Sequence, residues 1–107
     1  MVTKNISQED FFLKVYEFVK KIPKGQVRSY GDVARAIAHP HHARHVGYAL
    51  AALPKGSEVP WHRVINANNQ ISPRKIKEKE SIQKKILENE GIIFDCKGKV
   101  IQNAAKL

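Results

Sequence analysis

A chain of 107 residues has room for one hydrophobic core and not for a second, because domains commonly run to about 150 residues. Its 42% hydrophobic and 27% charged residues are ordinary globular values, but 19 Lys and Arg against 10 Asp and Glu leave +9, a charge that favours polyanions, nucleic acid first and an anionic membrane surface second. One cysteine excludes an intrachain disulfide and the common zinc sites built on two or more thiols.

The first ten residues are polar and lack the apolar core of a signal peptide, and the longest apolar runs are far too short for a membrane span. A soluble, cytoplasmic chain without a membrane partner is expected, nucleoid-associated if the source is bacterial. The first helix is expected from about Gln8 to Lys21. Ser7 is a suitable N-cap, Asp10 gives a weaker capping box, and Ile6 and Phe11 sit where a hydrophobic staple places them. Phe11, Val15, Phe18 and Ile22 share one helical face, and Pro23-Lys24-Gly25 stops it.

Val27-Arg28 reads as a short extended piece. Ser29 caps a second helix with Asp32 at its third position and Val33 and Ile37 on its apolar side. His39-Pro40 closes it, because a residue before proline avoids helical geometry. A third helix is expected from near His42 to Leu53, with Val46, Ala49, Leu50 and Leu53 inward. Its other face carries Arg44, Gly47, Tyr48 and Ala51. An Arg and a Tyr one turn apart, beside two very small residues, would let a partner's backbone come close; the same pattern also suits a plain solvent face. The second and third helices together read as a helix-turn-helix.

Pro60-Trp61-His62-Arg63 leads into Val64-Ile65, a short buried strand. Residues 66–73 are rich in turn formers, and Asn68-Asn69 suits left-handed geometry. The stretch from Arg74 to Lys85 holds six basic and two acidic residues, yet Ile76 and Ile82 argue against a disordered tail. A last helix is expected from about Lys77 to Asn89, ended by Gly91, then a hairpin of Ile92-Ile93-Phe94 and Val100-Ile101. The fold class is mainly α with small β elements, α+β, in a single domain.

Three features invite chemistry. His39, His41, His42 and His45 crowd into seven positions, but without a Cys or carboxylate among them, and with no known ligand spacing, no metal is expected. Cys96 is the one possible thiol nucleophile; it lies in the hairpin beside Asp95, which disfavours a thiolate, so a bystander role is expected. Trp61, between Pro60 and His62-Arg63, reads either as core or as the wall of a pocket.

The pieces Ile22-Pro23-x-Gly25-x-Val27, Ser29-Tyr30-Gly31-x-Val33-Ala34, Ala43-Arg44-x-Val46-Gly47, Pro60-x-His62-Arg63-Val64-Ile65 and Glu90-Gly91, in this order and spacing, resemble the DNA-binding domain of the O6-alkylguanine-DNA alkyltransferases. The resemblance covers most of the chain. It implies a winged-helix-like helix-turn-helix that uses the DNA minor groove, with no metal and no cofactor. In that family the second residue of Pro-x-His-Arg is the cysteine that accepts the alkyl group. Here it is Trp61, which resembles the alkyltransferase-like proteins, binders of alkylated guanine that do not transfer the alkyl group.

The chemistry of the residue agrees. Dealkylation needs a polarisable thiolate, which an indole does not replace, so His62 and Glu90 are expected as remnants of the relay. The resemblance implies a non-enzyme that flips O6-alkylguanine out of duplex DNA and passes it to nucleotide excision repair proteins, acting as a monomer. It assigns Tyr30, Arg44, Gly47, Tyr48 and Ala51 to DNA, and Tyr30, Trp61, His62, Arg63 and Arg74 to the alkylguanine pocket. Arg44 is expected to fill the gap left by the base, and Tyr30 to help rotate the nucleotide. Two alternatives stay open: an active methyltransferase that uses Cys96, and a helix-turn-helix binder without lesion preference.

Overall fold

A computed structural model describes residues 8–73 and 77–102. Ile6, Ser7, Arg74 and Ile76, which carry a staple, a cap, a pocket role and part of an apolar pattern in the sequence reading, lie outside the described residues.

Helix α1, Gln8–Lys20, buries Phe11, Val15 and Val19, with Ile22 just beyond its end. Phe18 was expected on this stripe but is half-buried at its edge. At 100° per residue the stripe centres between Phe11 and Val19, which leaves Phe18 on the flank. Strand β1, Arg28–Ser29, runs straight into helix α2, Tyr30–Ala36. The turn between them is fixed by a reciprocal capping box: Asp32 N donates to Ser29 Oγ at 3.0 Å, and Ser29 N donates to Asp32 Oδ2 at 3.1 Å. The hydrogen bond from the Ser29 backbone leads the contributions that hold the Asp32 carboxyl below its usual range.

Helix α2 ends before the expected His39-Pro40. Ala38 takes a left-handed φ of 67°, and His39 N and Ala38 N donate back to Ala34 O and Arg35 O at 2.9 and 3.1 Å. This is a Schellman closure with alanine where glycine is usual. Helix α3, Ala43–Ala51, follows with His42 as its N-cap, and ends two residues short of the expected Leu53. Helix α2 packs against α3, and α1 lies across both. Tyr16 Oη of α1 donates to Ala49 O of α3 at 2.6 Å.

Beyond α3 the chain returns to β1. Strand β2, Val64–Ile65, pairs with it in parallel, Arg28 opposite Val64 and Ser29 opposite Ile65. Alternation along β2 aims its two side chains in opposite directions. Val64 joins the core of α1, α2 and α3 with Phe11, Val15, Val19, Val33, Val46 and Ala49. Ile65 joins a second core with Val27, Leu87 and Ile92. Two residues of strand thus stitch two cores together.

Helix α4, Lys77–Asn89, buries Leu87 and, unusually, Gln83. Strands β3, Ile93–Phe94, and β4, Val100–Gln102, close the chain as the expected antiparallel hairpin. Asn69 adopts the expected left-handed geometry at φ 61°, and Val100 N donates to its carbonyl at 2.8 Å, tying the turn to the hairpin. A helix-turn-helix joined to a small mixed set of strands is the α+β arrangement expected from the sequence.

Candidate nucleic-acid interface and pocket

The chain between α3 and β2 makes one turn of 3-10 helix, Trp61–Arg63, which the sequence pattern did not reveal. Pro60 starts it with a fixed φ of −79°, and Arg63 N donates to Pro60 O at 3.0 Å. The turn sends its side chains two ways.

His62 and Arg63 point to Glu90, just past the end of α4. Arg63 grips the carboxylate with two parallel bonds, Nε to Oε1 at 3.0 Å and Nη2 to Oε2 at 2.8 Å. Its third nitrogen, Nη1, donates to Ile22 O at 2.8 Å, beyond the end of α1. One guanidinium therefore joins the ends of two helices to the turn. His62 Nε2 lies 3.0 Å from Glu90 Oε2. An ionised carboxylate only accepts, so Nε2 carries the proton. Burial opposes ionisation of Glu90, but the bonds from Arg63 and His62 outweigh it and lower its pKa to about 2. The turn's backbone is held as well: the buried Gln83 amide donates to His62 O and Val64 O, both at 3.1 Å. Gln83 escaped the sequence reading, although it stands four residues before Leu87 on the buried face of α4. That spacing was the available signal.

Trp61 faces the other way. It lines a cavity of about 350 Å³ with Leu50, Ala51 and Leu53 of α3 and its end, the loop 54–57, and Lys79 and Ile82 of α4. Volumes of this size hold small organic groups. His62 and Arg63 were expected in the pocket, but they are not among its lining residues, because their polar atoms are committed to Glu90 and Ile22. Tyr30 does not line it either. It packs on the first core, and Ser72 Oγ donates to its hydroxyl at 3.4 Å. Arg74 lies outside the described residues.

The outer face of α3 leads into this cavity. Arg44 and Tyr48 are exposed, Tyr48 by 53%. Ala51 is exposed on the same face and also lines the cavity. Seven residues at 1.5 Å each put Arg44 about 10 Å along the axis from the cavity mouth. Gly47 lies between them. A Cβ built on it would meet Tyr30 Cε1 at 3.9 Å, an ordinary contact, so the protein's own packing does not demand glycine there.

The histidines form a ring cluster and not a ligand set. His39 and His42 lie 5.5 and 5.9 Å from the Phe11 ring, and His42 lies 5.2 Å from His45. Among the described residues no three His, Cys, Asp or Glu are arranged to hold a metal ion. Cys96 is exposed in the β3–β4 turn and does not line the Trp61 cavity.

Residues 10–92 match the model of the 6-O-methylguanine DNA methyltransferase, DNA binding domain. Alkyltransferase-like protein 1 of Schizosaccharomyces pombe is 46% identical over 84 residues, 78% of each chain. A DNA base-flipping protein of Vibrio parahaemolyticus is 42% identical over 93 residues, 86% of this chain and 90% of its own. The crystal structure of S. pombe Atl1 in complex with damaged DNA containing O6-carboxymethylguanine superposes with a TM-score of 0.81 at 40% identity, over 94% of this chain and 95% of that one. The family's reactive position, second in Pro-x-His-Arg, is Trp61 here, while the surrounding His62, Arg63 and Glu90 are kept. The chain belongs to the family of the methylguanine methyltransferase DNA-binding domain and, within it, to the alkyltransferase-like proteins.

Proposed function

We propose that this chain binds duplex DNA, turns an O6-alkylguanine out of the helix into the Trp61 cavity, and leaves the alkyl group in place. The observation that carries this reading is the position of Trp61. An indole fills the reactive position and forms a wall of the cavity, while the neighbouring histidine and glutamate remain fully assembled. A relay without a thiolate has nothing to activate. Cys96 sits in the hairpin turn and offers no substitute. The named functions of the S. pombe and V. parahaemolyticus relatives, and the damaged DNA held by S. pombe Atl1, support the same reading.

In this mechanism the surplus of nine positive charges draws the chain to DNA, and lysines and arginines displace counterions from phosphates. Helix α3 enters the groove along Arg44, Gly47, Tyr48 and Ala51. Flipping a base costs a few kcal/mol, and less for one that already pairs badly, as an O6-alkylated guanine does. Arg44 occupies the gap with its planar, donor-rich guanidinium. Tyr30, beside Gly47, helps rotate the nucleotide, and Trp61 gives the base an aromatic wall. Arg74 closes over the lesion. A binder that does no chemistry must pass the lesion on, so the bound complex serves as a mark for nucleotide excision repair.

The test compares two duplexes that differ in one O6-methylguanine, at a fixed salt concentration. The methylated duplex should bind more tightly, and the preference should disappear in Arg44→Ala. Equal affinity for the two duplexes would contradict lesion recognition and favour the plain helix-turn-helix alternative.

A further inference from the structure

The Trp61 cavity has two chemically distinct parts. Its walls are apolar: Leu50, Leu53, Pro54, Trp61 and Ile82. Ile82, on α4, is 51% exposed. The second part is cationic. Lys55, from the loop after α3, and Lys79, from the first turn of α4, both line it, so two separate elements each bring an exposed cationic side chain. No Asp or Glu is among the described lining residues. Neither lysine has a hydrogen bond or ion pair among the described residues, and the nearby Glu80 is engaged by Lys77 at 3.5 Å.

A pocket for a neutral methyl group has no use for two unpaired cations. Two exposed cations at the rim of one apolar cavity, with no carboxylate among its described lining, favour an anionic group there. On the reading that this cavity receives the flipped base, we propose that Lys55 and Lys79 select O6-alkyl groups that end in an anion. The preferred class is a short methylene chain ending in a carboxylate. The apolar walls take the guanine and the methylene carbons, and the two ammonium groups meet the carboxylate from the loop side and the α4 side. This assigns specificity to residues outside the Pro60–Ile65 motif.

The experiment measures affinity for four duplexes that differ at one guanine: unmodified, O6-methyl, O6-carboxymethyl, and its neutral isostere O6-carbamoylmethyl. The last pair has nearly the same shape, so their affinity ratio reports charge alone. That ratio should be about three- to tenfold in favour of carboxymethyl, the range that one or two exposed ion pairs supply. It should shrink as salt is added. In the K55Q/K79Q double variant, exposed conservative changes checked for folding by thermal melting, the ratio should fall to about one.

Equal affinity for the carboxymethyl and carbamoylmethyl duplexes overturns the proposal. A double variant that binds all four duplexes more weakly but keeps the ratio also overturns it, and makes the lysines phosphate contacts. Failure of the underlying reading looks different, because then the wild-type chain does not separate O6-methyl from unmodified DNA.

Discussion

Behind the Trp61–Arg63 turn, His62, Arg63, Gln83 and Glu90 satisfy one another within 3.1 Å and hold the ends of α1 and α4 together. In front of it, Arg44, Lys55 and Lys79 have no hydrogen bond or ion pair among the described residues, and Tyr48 stands exposed. The first region is internally bonded and mostly withdrawn from solvent, so it contributes to stability. The second is open and cationic, so its interactions wait for a partner. On the proposed function, residues that match the family's relay act as framework here, and recognition falls to the open side. Substitutions should accordingly separate into two classes, one that unfolds the chain without a specific effect on DNA, and one that abolishes DNA recognition without unfolding it.

The largest effect is expected behind the turn. Arg63→Ala leaves the Glu90 carboxylate with His62 alone and takes the guanidinium donor from the Ile22 carbonyl, and should cost about 3–5 kcal/mol in chemical denaturation. A loss under about 1 kcal/mol would mean that the triad is not framework. The same group sets an acid limit. The folded-state pKa of Glu90, about 2, lies below its unfolded value of 4.5. Its contribution is therefore fully present above pH 4.5 and lost as pH falls from there toward 2. Over that window stability should drop by on the order of 3 kcal/mol from this group. Glu90→Gln should flatten that part of the curve while lowering stability at neutral pH.

In front of the turn, Arg44→Ala should leave the melting temperature within about 2 °C of the wild type, as for a surface substitution. It should weaken binding to an O6-methylguanine duplex by roughly ten- to a hundredfold, the loss of about 1–3 kcal/mol expected for a key arginine contact. Gly47→Ala sharpens the comparison further. It meets no clash inside the protein and should stabilise α3 by up to about 1 kcal/mol. Because it adds bulk on the groove side, it should still weaken DNA binding. The smallest effect concerns neither side: Ala38→Gly, at the left-handed end of α2, should stabilise the chain by about 1 kcal/mol with DNA affinity unchanged.

The elements with local signals were legible in the sequence. The Ser29–Asp32 capping box, Pro23-Lys24-Gly25, Gly91 and the apolar spacing of α1 all act within a few residues, and the structure places those elements close to expectation. The misses have a different origin. The 3-10 turn has no periodic pattern to detect. The parallel pairing of β1 with β2 joins residues 36 positions apart, a contact that two-residue strands cannot announce. The site divides in the same way. Trp61 at the reactive position was plain from the motif. That His62 and Arg63 turn away from the cavity depends on where Glu90 and Ile22 arrive in space. Lys55 and Lys79 belong to no motif and meet at the cavity only through the packing of α4.

With Trp61 at the reactive position, the lesion should be held and not repaired. The direct measurement is the intact mass of both the protein and the lesion strand after prolonged incubation with excess chain, under conditions where the O6-methylguanine duplex is saturated. Both masses should stay unchanged, with the methyl group still on the DNA. A stoichiometric gain of one methyl by the protein, matched by its loss from the strand, would contradict it.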